Sequence, residues 1–133
     1  IYTEHASGLE HQVRRSSADA GRTWSAPVAL ARAGPPARNR RDPFVFERGG
    51  GWWMLLAEPC DWAGWASEGP SRVQLYRSGD RRAWQQVGTI GPWQPPGIMW
   101  EVPVLARIGD RDVLIVSEID RRDGGARCRV RAW

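Results

Sequence analysis

The chain repeats itself with a period of about sixty residues, and that repeat limits what it can fold into. Trp24 is matched by Trp84, Pro43 by Pro103, and Met54-Leu55-Leu56-Ala57-Glu58 by Leu114-Ile115-Val116-Ser117-Glu118. Self-similarity of this length, built from short strands and turn signals, is the signature of β-propeller blades, a little longer than the common propeller repeats. Inside each repeat sits a short acidic motif, Arg41-Asp42-Pro43 in one and Met99-Trp100-Glu101-Val102-Pro103 in the next. The two acids therefore fall in equivalent strands of neighbouring blades.

Each repeat reads as four strands. Arg41 to Phe46 carries aromatic and β-branched residues, a Gly49-Gly50-Gly51 turn follows, and Trp52 to Ala57 is the second run. Ser71 to Ser78 alternates, turns at Gly79-Asp80 and leads to Trp84 to Thr89. The next repeat runs through Trp100 to Arg107, Val113 to Ile119 and Arg127 to Trp133. Before Arg41 only the second half of a blade is visible, roughly Leu9 to Ser16 and Trp24 to Leu30. No stretch has helical periodicity, so the fold class is all-β. The blade boundaries fall near residues 38 and 98, giving about two blades. A propeller closes with at least four, so the chain is expected to be a piece of a longer protein that shares its core with further blades.

Ser17-Ala18-Asp19-Ala20-Gly21-Arg22-Thr23-Trp24 fits the Asp-box pattern of propellers, and Ser78-Gly79-Asp80-Arg81-Arg82-Ala83-Trp84 echoes it. The expected role is structural. Asp caps its own turn, Gly permits positive φ, and the Trp packs between blade sheets.

The paired acids have a chemical reading. Two carboxyl groups on adjacent inner strands near a propeller axis are what glycoside cleavage requires, one protonated as general acid and the other ionised beside the sugar. Trp100 is expected to wall Glu101 and raise its pKa by desolvation, and Arg41 to hold Asp42 charged and oriented.

With these motifs the sequence resembles glycoside hydrolase family 32, the invertase, levanase and inulinase family. The resemblance is carried by Tyr2-Thr3, the Asp-box segment, Arg41-Asp42-Pro43, the Trp53-Met54-Leu55-Leu56-Ala57 strand, Leu75-Tyr76-Arg77-Ser78 and Met99-Trp100-Glu101 with Pro103. It implies a five-bladed catalytic propeller and a retaining hydrolase of β-fructofuranosides, sucrose or fructans. By the resemblance Glu101 is the general acid and base and Asp42 the transition-state stabiliser, with Arg41 and Trp100 as substrate-binding neighbours. No metal or organic cofactor is implied, and the partner is a fructosyl carbohydrate. Val102 stands where the family usually has Cys, Val104 where Asp is common, and Asn39-Arg40 where Asp-Phe is usual, the last adding a positive charge beside the site. The family's nucleophilic Asp belongs to an Asn-Asp-Pro-Asn-Gly segment expected upstream of Ile1. The fragment alone is therefore expected to be inactive.

Rival readings follow from composition. All 19 basic residues are Arg, the net charge is +4 and there are nine Trp, which raises a polyanion partner. The arginines are scattered as singles and pairs rather than in a run, so nucleic acid is not expected. A non-catalytic sugar-binding propeller is a second alternative, with Trp62 and Trp65 after Cys60 stacking on sugar rings. A third is an arabinosidase or xylosidase of the neighbouring family 43. Cys60 and Cys128 lack metal or disulfide spacing and read as free thiols, buried or partly so. His5 and His11 read as surface or turn residues, and Pro92, Pro95, Pro96 and Gly97 as a stiff loop before the acid strand. No apolar run approaches a membrane span.

Overall fold

Met54, Leu55, Leu56 and Ala57 are consecutive and all fully buried. A strand alternates its side chains between two faces, so such a run requires cover on both sides. The computed structural model, which describes residues 1–6, 9–32, 40–58, 70–95, 97–120 and 122–133, supplies that cover with three sheets.

The first sheet orders β1 (Tyr2–Ala6), β2 (Leu9–Arg14) and β3 (Val28–Ala29). In the second, β4 (Ala31–Arg32), β5 (Arg41–Arg48), β6 (Gly51–Glu58), β7 (Arg72–Ser78) and β8 (Ala83–Ile90) are arranged β4-β8-β7-β6-β5. The third places β9 (Ile98–Ile108), β10 (Arg111–Asp120) and β11 (Arg127–Ala132) in the order β11-β10-β9. Neighbours are antiparallel except β4, which joins β8 in parallel. Among the described residues there is no helix, and none long and apolar enough to cross a membrane.

The second sheet is the middle layer. On one side Leu55 and Val73 meet Ile98, Trp100, Leu114 and Val116 of the third sheet. On the other, Met54, Leu56 and Tyr76 pack with Leu30 and Trp84, and Ile1 closes against them. At one turn-bearing end, Arg48 of the second sheet donates twice to Asp112 of the third, at 2.6 and 2.8 Å.

Two strand readings differ from the sequence expectation. Tyr2–Ala6 forms a hairpin strand with β2 although Glu4-His5-Ala6 shows no apolar alternation. The span from Trp24 to Leu30 pairs as a strand only at Val28–Ala29, because Pro27 has no N–H to give to a ladder. The tryptophans of the two Asp-box segments also part company. Trp84 is 3% exposed between sheets, whereas Trp24 is 58% exposed and donates its indole N–H to Gly21 O at 3.0 Å, with no second sheet over it among the described residues.

Candidate active site

One edge strand from each of the three sheets, β1, β5 and β9, lies beside the next. They line a cavity of about 500 Å³ with Ile1, Tyr2, Thr3 and His5 from the first, Arg41, Asp42 and Pro43 from the second, and Glu101 and Val102 from the third.

Both acid motifs are β-bulges. In β5, Arg41 faces Ala57 and Phe44 faces Leu55, so Asp42 and Pro43 together oppose one residue. In β9, Glu101 faces Ser117 and Val104 faces Ile115, so Val102 and Pro103 do the same. A proline fits here because a bulge leaves its missing N–H without a required ladder partner. The bulges turn Asp42 to φ 56° and Val102 to φ 49°. Asp tolerates that left-handed region, while a β-branched Val resists it. The rung of Glu101 thus corresponds to that of Arg41, and Asp42 corresponds to Val102. The two acids stand on adjacent rungs of equivalent strands.

Hydrogen bonds tie the three strands together. The Val102 N–H donates to Asp42 Oδ2 at 2.9 Å, and the Asp42 N–H donates to Thr3 Oγ1 at 3.1 Å. Thr3 in turn donates to Gln12 Oε1 at 3.1 Å, and the buried Gln12 amide donates to Arg40 O at 2.6 Å.

Arg41 bridges two carboxylates. Its Nη1 lies 3.2 Å from Glu101 Oε1 and its Nη2 lies 2.9 Å from Glu10 Oε1. Glu10 is 2% exposed, and His5 Nε2 stands 3.6 Å from the same oxygen. Burial raises the Glu101 pKa above the ordinary glutamate value; Arg41 opposes this, while the negative charges of Asp42 and Glu10 add to it. A carboxyl whose protonated form is favoured by burial, beside an oriented carboxylate, can deliver a proton to a bound oxygen and later take one back.

The sequence suggested that Arg41 holds Asp42, but its guanidinium holds Glu101, and the bulge aims Asp42 at the Val102 N–H. Trp100 also departs from expectation. It is fully buried, and strand alternation sends it to the face opposite Glu101, away from the cavity. There its indole N–H reaches Glu118 Oε2 at 3.4 Å, and its ring meets Trp93 and Trp133 at centroid distances of 5.9 and 6.0 Å. Arg40 adds no free charge to the cavity, because its guanidinium pairs with Glu58 at 2.7 Å and donates to the Tyr76 hydroxyl at 3.0 Å. Cys128 is exposed rather than buried. Asn39, Cys60, Trp62, Trp65 and Pro96 lie outside the described residues.

Glu10, Gln12 and the cavity position of His5 were missed in the sequence. Glu10 and Gln12 carried a signal, since two long polar side chains two apart share one strand face, and both are buried.

The Asp-box segments are turns. Ser17 Oγ accepts the Gly21 N–H at 2.8 Å, and Asp19 accepts the Thr23 N–H and hydroxyl at 2.9 and 2.6 Å. The Thr23 hydroxyl first, then the Thr23 N–H and the Ser17 hydroxyl, lower the Asp19 pKa to about 2. Asp80 repeats the device with the Arg82 and Ala83 N–H groups at 2.8 and 3.0 Å.

Residues 1–127 match the family described as "Glycosyl hydrolases family 32 N-terminal domain". The chain belongs to glycosyl hydrolase family 32. Among solved structures, the Bombyx mori family 32 β-fructofuranosidase is similar with a TM-score of 0.64 and 21% identity, over 98% of this chain and 30% of that one. A mutant of that silkworm protein in complex with sucrose is similar with a TM-score of 0.55 and 21% identity, over 87% of this chain and 25% of that one. The chain thus spans less than a third of the length of the structures it matches. No curated protein matches it. In this family 32 chain the three sheets are parts of a β-propeller.

Proposed function

We propose that the protein carrying this chain hydrolyses β-fructofuranosidic bonds with retention of configuration. The observation that carries the reading is the meeting of Asp42 and Glu101 on one cavity in a family 32 chain, with the Glu101 carboxyl biased toward its protonated form.

In this reading Glu101 protonates the glycosidic oxygen as it leaves, then removes a proton from the water that releases the sugar. Asp42, fixed through one oxygen by Val102, accepts hydroxyl groups of the fructosyl ring and steadies the oxocarbenium-like transition state. Arg41 holds Glu101 in place. Retention needs a second carboxylate about 5 to 5.5 Å from the acid. Glu10 does not serve, because it is buried and does not line the cavity. This reading puts the nucleophile on a carboxylate outside these residues and expects the 133 residues alone to be inactive.

The substrate is a fructosyl carbohydrate such as sucrose or a fructan. The sucrose complex of the silkworm neighbour supports that class. Fructose release from sucrose and from fructans, assayed with the protein made from its complete reading frame, tests the proposal. Saturable sugar binding without release would favour a sugar-binding propeller, and release of arabinose or xylose would favour the specificity of family 43.

A further inference from the structure

We propose that Glu10 is a positioning residue of this site: from behind the cavity it holds the guanidinium of Arg41, and that guanidinium fixes the Glu101 carboxyl at the cavity wall. The inference rests on the reading of Glu101 as proton donor. A buried carboxylate is costly unless it is paired. Glu10 sits on β2, 2% exposed, with its Oε1 2.9 Å from Arg41 Nη2. The other terminal nitrogen, Nη1, reaches Glu101 Oε1 at 3.2 Å. One rigid, planar fork thus spans two strands and grips one acid with each arm. Arg41 is itself mostly buried, so Glu10 restricts where the fork can point.

This arrangement also divides the positive charge. With Glu10 in place Arg41 is shared, and the Glu10 charge itself disfavours ionisation of Glu101. The charged groups around Glu101 are Arg41 and Asp42 on β5 and Glu10 on β2, with His5 of β1 on the same cavity. Removing the Glu10 charge frees Arg41 for Glu101 and deletes a like charge. Both changes favour the ionised acid.

The test is a titration of the Glu101 carboxyl carbon by ¹³C NMR in the complete protein, for the unsubstituted form, Glu10→Gln and Glu10→Asp, together with pH profiles of kcat and KM for fructose release. Glu10→Gln is expected to lower the Glu101 midpoint by at least about half a pH unit. The basic limb of kcat should move down with it, while KM stays within about twofold. Glu10→Asp keeps the charge but draws it back by one methylene, and its shift is expected to be smaller and in the same direction, so it decides the matter if Glu10→Gln does not fold. A Glu101 midpoint unmoved in a folded variant overturns the role. If the protein releases no fructose, the proposed function fails, while the carboxyl titration still judges Glu10.

Discussion

The backbone N–H of Val102 donates to the carboxylate of Asp42 at 2.9 Å, although the residues stand 60 apart in the sequence. Each occupies the left-handed first position of a two-residue bulge, and the second position of each bulge is a proline, Pro43 or Pro103. The bond locks neighbouring inner strands at the rung that carries the candidate chemistry. It also explains how a β-branched residue persists at φ 49°, since the strain is offset by a charge-assisted hydrogen bond.

Val102→Gly should keep that bond while removing the strain. Val102 is 56% exposed, so little burial is lost. The relief, of order 1–3 kcal/mol for a disfavoured backbone region, outweighs the glycine entropy cost of roughly 0.5–1 kcal/mol. A modest rise in unfolding midpoint is expected in urea or on heating. Val102→Pro, which lacks the N–H and cannot reach positive φ, should lower the midpoint and reduce activity.

Glu101→Gln should cut fructose release by about 10²–10⁴ and flatten one part of the stability–pH curve. The folded pKa of Glu101 lies above its ordinary value of 4.5, so the folded state binds the proton more tightly than the unfolded chain. The stability it contributes is full below 4.5 and is lost as pH rises through the raised folded value. Unfolding free energies measured across this range should fall with pH more steeply in the unsubstituted protein than in Glu101→Gln.

Trp100 separates packing from binding. Trp100→Ala should destabilise by about 3–5 kcal/mol, because it empties a fully buried site between the second and third sheets. Trp100→Phe should cost less and leave KM within about twofold in the folded protein. A large KM change in Trp100→Phe would mean that the indole contacts the sugar after all.

Asp19→Ala should loosen the first Asp-box turn without touching the cavity. The Asp19 pKa is lowered to about 2, so its contribution to stability is present above the model-peptide value of 3.8 and is lost as pH falls through about 2. Unfolding free energies measured by urea titration should fall more steeply between about pH 4 and pH 2 in the unsubstituted protein than in Asp19→Ala, and the difference between the two should shrink across that window.

Much of the fold was legible because the repeat is written in residues whose spacing the backbone enforces. Pro43 and Pro103 keep register since only a bulge or edge tolerates them, and Met54 to Ala57 betray a strand covered on both faces. Ser17, Asp19 and Gly21 announce their turn locally. The site was legible as far as Asp42 and Glu101 sharing a cavity. What escaped were side-chain directions and long-range partners. A bulge at Asp42 aims its carboxylate at the Val102 N–H rather than at Arg41, and plain strand alternation puts Trp100 and Glu101 on opposite faces, so adjacency in sequence wrongly paired Arg41 with Asp42 and Trp100 with Glu101. Glu10 reaches Arg41 across 31 residues of chain, and only the alignment of β2 beside β5 brings them together.

The most direct test of the central claim is azide rescue of Glu101→Ala in the complete protein, with β-fructofuranosyl fluoride as substrate. Fluoride leaves without a proton, so the variant should still form the glycosyl enzyme and then stall for want of a base. Azide needs no base. The account predicts that azide restores turnover and yields fructosyl azide of retained β configuration by NMR. No rescue, or an azide of inverted configuration, would contradict the assignment of Glu101 as the acid and base of a retaining fructosidase.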